Sequence, residues 1–251
     1  MSKLFLIASS LLFAFSANAS ASLVVAQDNF DGASTGFTAG WATDLKNKNV
    51  PVVTSVGGNA GLVIGANSDR AAYWNLANAQ TGDVFVDFSF SYSGVLGNND
   101  FLGLWLGEPM GPSIGLKANC GTGSCTNDLF VRTVGVDGPY LAGTDLVAGT
   151  TYRLFGHLYK ANGSDTYNRF DAWLNPTAEE LQTLTGADTR ATGNSKVKTV
   201  SSIGLRTANI DKGVTLRVEG VNVSEVPEPG TLALMGLALG GLGLAARRKR
   251  G

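Results

Sequence analysis

Val84-Phe85-Val86-Asp87-Phe88-Ser89-Phe90-Ser91-Tyr92 decides the fold. Val84, Val86, Phe88, Phe90 and Tyr92 share one parity, while Asp87, Ser89 and Ser91 share the other, with Phe85 the one exception. Successive side chains of a strand point to opposite faces, so this alternation predicts a half-buried strand with an aromatic core face. Outward from it the same signal recurs in short pieces. Residues 22–27, 50–54, 62–64, 70–74, 101–106, 114–117, 128–134, 151–160, 167–174, 196–207 and 213–224 read as further strands, with Gly and Asn clusters between them. Asn162-Gly163, between two alternating runs, signals a hairpin whose loop is longer than two residues.

A single helix is expected. Thr177-Ala178-Glu179-Glu180 is a capping box, Leu181 and Leu184 supply an apolar side, and Gly186 is placed to end it. A dozen short strands, one small helix and frequent glycine turns predict an all-β sandwich. The order also resembles the concanavalin A-like jelly rolls. The resemblance lies in the opening Asp28-Asn29-Phe30-Asp31-Gly32, Gly40-Trp41, the aromatic strand, Tyr152-Arg153-Leu154, Phe170-Asp171-Ala172-Trp173-Leu174 and the closing Leu216-Arg217-Val218. It implies a jelly-roll-like β-sandwich over residues 22–224.

Both ends of the 251-residue chain differ from this middle. Met1-Ser2-Lys3 is a short basic start, residues 4–15 are apolar, and Ala17-Asn18-Ala19, with Ala19-Ser20-Ala21 as a rival, is a small-x-small cleavage site. Residues 1–21 therefore read as a secretory signal peptide, handled by signal peptidase and the general secretion machinery. At the other end Val226-Pro227-Glu228-Pro229 precedes an uncharged run, residues 231–246, and then Arg247-Arg248-Lys249-Arg250. As a helix the run would span about 24 Å at about 1.5 Å per residue, against a hydrocarbon core of about 30 Å. Snorkelling of the long basic side chains helps a short span. The cations form a stop on the cytoplasmic side of the inner membrane, which leaves everything before the run outside it.

Residues 225–251 resemble the PEP-CTERM sorting signal of Gram-negative bacteria. The resemblance implies exosortase as a partner, processing near Pro227–Pro229, and display at the cell surface or release into an exopolysaccharide matrix. The two prolines keep Glu228 extended and out of the helix, where a protease reaches the backbone.

Between residues 23 and 224 the chain holds 14 Lys+Arg and 18 Asp+Glu, a net charge of −4. A mildly acidic, evenly charged chain argues against nucleic acid as a partner, because phosphate binding needs a basic face. The two cysteines, Cys120 and Cys125, read as a disulfide in an exported protein. A zinc site would need further ligands, and the chain has one histidine and no third cysteine.

Chemistry is weighed on three patterns. Jelly-roll glucanases carry Glu-x-Asp-x-x-Glu or Glu-x-Asp-x-Glu on one strand, and neither spacing occurs; no pair of acids is expected to line one strand face. Gly111-Pro112-Ser113-Ile114-Gly115 matches Gly-x-Ser-x-Gly, with His157 later and Asp128, Asp137 and Asp145 between. That motif needs a strand before the serine and a helix after it, and here a turn between strands is expected instead. Asp28 and Asp31, with Asn29, offer oxygen ligands that calcium accepts, as do Asn98, Asn99 and Asp100; ordinary turn chemistry is the competing reading. For sugar binding, Trp173 beside Asp171 is the preferred platform among Trp41, Trp74, Trp105 and Trp173, because it sits opposite the Phe170, Ala172 and Leu174 face. The sequence thus reads as an exported, non-enzymatic protein whose ectodomain is adhesive, structural or glycan-binding, with extracellular polysaccharide as its candidate partner. The alternative is a secreted glycoside hydrolase, or other hydrolase, acting on matrix polysaccharide.

Overall fold

The computed structural model describes residues 23–30, 40–43, 51–56, 59–64, 67–120, 125–135 and 138–226. The strands are β1 (Leu23–Asp28), β2 (Trp41–Ala42), β3 (Val52–Val56), β4 (Asn59–Ile64), β5 (Ser68–Gln80), β6 (Asp83–Ser93), β7 (Phe101–Leu106), β8 (Ser113–Lys117), β9 (Leu129–Arg132), β10 (Tyr152–Tyr159) and β11 (Arg169–Leu174). A short helix, α1 (Ala178–Thr183), precedes β12 (Thr189–Thr192), β13 (Val200–Ala208) and β14 (Thr215–Val226). The sequence-predicted signal peptide, the apolar run at 231–246 and the basic stop lie outside the described residues. Among the described residues no helix is long and apolar enough to cross a membrane.

The strands form two antiparallel sheets. The eight-stranded sheet runs β12-β11-β10-β6-β14-β4-β3, with β1 also paired to β14; the six-stranded sheet runs β2-β5-β13-β7-β8-β9. The alternating strand is β6, near the middle of the larger sheet between β10 and β14. Val84, Val86, Phe88 and Phe90 on its inner face are fully buried, and across the ladder they meet Leu158, Gly156, Leu154 and Tyr152 of β10. Leu216, Val218, Val221 and Val223 of β14 and Leu102, Leu104, Ile114, Leu116, Ile203 and Leu205 of the other sheet complete one core. Gly156 is glycine for space, since a Cβ there would stand 2.7 Å from the Phe170 ring and 2.8 Å from Val86.

The structure extends or moves several expected elements. The strand expected at 70–74 is the thirteen-residue β5, whose burial pattern lacks a clean alternation because its pairing with β13 shifts register twice. β12 was not visible as a strand in the sequence, and only Ala191 of its four residues is buried. The α1 capping box forms as expected, but the helix ends on Leu184 in the left-handed conformation rather than on Gly186. Asn162 and Gly163 both take positive φ between β10 and β11, as the hairpin signal requires.

Cys120 and Cys125 are disulfide-bonded. A loop this short constrains the unfolded chain only modestly. Replacing both cysteines by serine is expected to lower unfolding free energy by about 2 kcal/mol, read as a shift of the urea midpoint.

Candidate functional site

The outer face of the eight-stranded sheet is built from the residues that alternate with the core positions. Along β10 these are Arg153, Phe155, His157 and Tyr159, preceded by Thr151; along β6 they are Asp83, Phe85, Asp87, Ser89 and Ser91. Register places Thr151 and Arg217 of β14 beside Ser91 at one end, and Tyr159 and Asp83 at the other. The distance from Thr151 to Tyr159 is about 26 Å at about 3.3 Å per strand residue.

At the Thr151 end lies a groove of about 380 Å³ lined by Ser91, Tyr92, Thr151, Arg217 and Glu219 among others. Glu219 sits where the β14–β6 register shifts between Val218 and Gly220, an irregularity of the kind that re-aims a side chain. Its carboxylate accepts hydrogen bonds from Ser91 Oγ (2.7 Å) and Thr151 Oγ1 (2.8 Å), with Arg217 Nε 3.7 Å away. Arg217 itself lies across Gly61, where any side chain would collide with the guanidinium, and donates to the Thr54 carbonyl. Burial raises the Tyr92 phenol above its ordinary range, with lesser contributions from Tyr152 and Asp128, and Tyr92 donates to the Leu146 carbonyl.

Toward Tyr159 the face becomes aromatic and paired. Phe85 stacks on His157 (centroids 4.5 Å) and on Phe155 (5.9 Å), and His157 stacks on Tyr159 (4.5 Å). Arg153 makes a two-pronged bond to Asp87, with Nε 2.8 Å from Oδ1; that bond raises the Arg153 pKa further. His157 Nε2 is 2.9 Å from Asp83 Oδ2. Arg190 grips Asp171 through both prongs, with Nη2 2.6 Å from Oδ2, and its pKa rises for that reason. Burial, then the Asp171 charge, pushes up the Tyr159 phenol.

These positions correct the sequence-based expectations. Trp173 cannot serve as an exposed platform: it is 1% exposed, its Nε1 donates to the Thr185 carbonyl, and the segment after α1 covers it. Asp171 beside it is 3% exposed and bound to Arg190. Trp105 is buried, and Trp41 and Trp74 meet edge-on at 5.7 Å. Two acids do line one strand face, contrary to expectation, since Asp83 and Asp87 both project from the outer side of β6. Their positions are about 13 Å apart at about 3.3 Å per residue, beyond the roughly 5–9.5 Å of glycosidase carboxylates.

The serine motif does not assemble a triad. Ser113 opens β8 on the outer face of the six-stranded sheet, opposite Trp105 and Arg132, whereas His157 is on the outer face of the other sheet. A strand, not a helix, follows the serine, and the partner of His157 is Asp83 rather than Asp128 or Asp145. Asp137 lies outside the described residues.

For calcium, Asp28 Oδ1 accepts the Phe30 amide at 2.7 Å, an Asx turn, and Asp31 lies outside the described residues. The Asp100 oxygens accept the Gly97 and Asp211 amides. Among the described residues no cluster of three or more His, Cys, Asp or Glu is placed to hold a metal.

Val226 of the sorting motif is the last residue of β14, paired with Asp83, and Glu225 Oε1 accepts the Thr81 and Gly82 amides at 2.7 Å. Pro227, Glu228 and Pro229 lie outside the described residues.

Comparison with known proteins separates the sorting tail from the sandwich. Residues 225–250 match the PEP-CTERM protein-sorting motif. That motif is a recognised exosortase substrate signal and marks a protein exported and processed at the cell envelope. No curated protein matches the sequence. Among solved structures, the Emp47p carbohydrate recognition domain is 10% identical with a TM-score of 0.52, covering 84% of this chain and 100% of its own. Alginate lyase Aly36B in complex with alginate trisaccharide is 10% identical, TM-score 0.50, covering 82% and 98%. The conserved carbohydrate esterase of the Shiga toxin-encoding bacteriophage phi24B is 10% identical, TM-score 0.50, covering 82% and 100%. At such identity the likeness is one of fold, and the fold is a concanavalin-like jelly roll.

Proposed function

We propose that this exported protein displays a non-catalytic, glycan-binding sandwich at the surface or in the extracellular matrix of a Gram-negative cell. It enters the inner membrane by its signal peptide, is held there by the apolar run at 231–246, and is released to its final place by exosortase. The observation that carries the binding reading is a single face. A polar groove formed by Ser91, Thr151, Arg217 and Glu219 runs into the strip of Phe85, Phe155, His157 and Tyr159 along the same side of one sheet. Extended glycans need hydroxyl-matching polar groups and apolar ring surface in sequence along a groove. The carboxylates of this face support binding over hydrolysis, because Asp87, Asp83, Asp171 and Glu219 are each engaged by a cation, a histidine or hydroxyls.

The test is a polysaccharide screen on the exported protein, with isothermal titration of whichever glycan binds. Glu219→Gln keeps the shape and weakens two hydroxyl contacts, so affinity is expected to fall about tenfold, or about 1.4 kcal/mol. Binding of no polysaccharide at millimolar concentration would favour a purely structural role. Release of new reducing ends would favour the hydrolase.

A further inference from the structure

The two ends of the sandwich differ in what leaves them. β14 runs toward the Asp83 end of β6 and stops at Val226, and β1 starts at that same end, with Leu23 opposite Glu225 across the ladder. The chain therefore enters and leaves the domain on adjacent strands at one end. The other end carries the groove lined by Ser91, Tyr92 and Thr215. Along β6, from Asp83 to Ser91, the two levels are about 26 Å apart at about 3.3 Å per residue.

The exit point is held up to its last residue. Glu225 Oε1 accepts the Thr81 and Gly82 amides at 2.7 Å. Gly82 lies so close to Val226 that a Cβ there would stand 2.2 Å from the Val226 carbonyl oxygen. Tyr167 Oη donates to the Gly82 carbonyl at 2.8 Å and secures the turn between β5 and β6 from inside. The sorting match starts at residue 225, so it overlaps the end of β14. From Val226 to Thr231, where the apolar run begins, the chain reaches at most about 18 Å, at about 3.6 Å for each of five steps. That reach is shorter than the distance between the two levels. It is too short for the domain to turn over and set its groove end on the surface from which the run emerges.

Two large apolar side chains are exposed beside this root. Leu23 is 60% exposed and Val24 51%, and they pair with Glu225 and Ser224. Single exposed apolar residues are ordinary, but these two are adjacent and stand where the tether brings the bilayer. The boundary between headgroups and acyl chains buries such side chains favourably. We infer that the Leu23–Glu225 end of the sandwich rests on the outer surface of the inner membrane, with Leu23 and Val24 in the lipid interface and the groove opening away from the bilayer. The inference rests on the reading of residues 231–246 as a membrane span. It makes the groove accessible while the protein is still anchored, so ligand binding does not wait for exosortase.

The experiment uses the full chain in vesicles of phosphatidylethanolamine and phosphatidylglycerol that carry a nitroxide on some headgroups. A fluorophore is attached at Thr81→Cys, an exposed site at the root, or at Val95→Cys, 88% exposed at the groove end. The native cysteines are disulfide-bonded and leave the introduced thiol as the site of attachment. Headgroup quenching is expected to be several-fold stronger at Thr81→Cys than at Val95→Cys. Adding Leu23→Ser and Val24→Ser is expected to bring the first down toward the second. Equal quenching at the two sites, or stronger quenching at Val95→Cys, would overturn the orientation. Quenching at Thr81→Cys that ignores the two serines would overturn the lipid contact of Leu23 and Val24. Preferential quenching that appears only once exosortase is added would make the docking partner a protein and overturn the lipid assignment. Flotation with the vesicles reports separately on the span. A chain left in solution would overturn the span and the inference together, whereas a floating chain with equal quenching overturns the inference alone.

Discussion

Replacing Gly115 by alanine is expected to leave almost no folded protein, with a loss beyond about 4 kcal/mol. An alanine Cβ at Gly115 would stand 2.1 Å from the Leu102 carbonyl oxygen and 3.0 Å from the Gly103 Cα. Both are backbone atoms of β7, paired to β8 through Leu102–Leu116 and Gly103–Gly115, so neither can yield without opening the ladder. Ser113→Ala, two residues away in the same motif, is the contrast. It deletes one hydroxyl at a buried strand start and is expected to cost about 1 kcal/mol or less. A nucleophile motif would show the reverse emphasis, with the serine indispensable to activity. Thermal melting of the two variants decides: a Gly115→Ala protein melting within a few degrees of the parent would refute the steric account.

The same contrast shows what the sequence could disclose. Gly111-Pro112-Ser113-Ile114-Gly115 is visible as a pattern, but which of its residues matters depends on Leu102, thirteen positions away from Gly115 and fixed only by strand pairing. The central strand was legible because a period of two is local and β6 obeys it over its inner face. β12 was not, because an edge strand that buries one residue leaves no period to see. The burial of Trp173 was hidden for a different reason. Strand alternation correctly placed it off the core face, yet the segment after α1 supplies a cover, through Thr185, that no periodicity encodes. The candidate surfaces were the least legible part. Arg153 and Asp87 are 66 residues apart, and only register joins them. The sorting tail was the most legible, since its proline-bracketed acid, apolar run and basic end are contiguous and its match spans residues 225–250.

Phe85 and Phe88 give the other large prediction, since they differ by one strand parity and should differ sharply in consequence. Phe88 is fully buried, stacks on Phe90 at 5.3 Å and pairs across the ladder with Leu154 and Val221. Phe88→Ala empties a ring-sized volume at the centre of the sandwich and is expected to cost about 3–5 kcal/mol. Phe85 is the residue that broke the sequence alternation, and the structure gives it a place on the outer face, half-buried between His157 and Phe155. Phe85→Ala loses ring contacts worth about 0.5–1.5 kcal/mol beyond the area it covers, so its urea midpoint should move far less. Glycan affinity should respond in the opposite order. Phe85→Ala removes part of the proposed apolar strip and is expected to weaken binding about tenfold, whereas any Phe88→Ala protein that remains folded keeps that strip. If Phe85→Ala proved as destabilising as Phe88→Ala and bound glycan unchanged, the outer rings would be a second core layer, and the face would have no claim to a ligand.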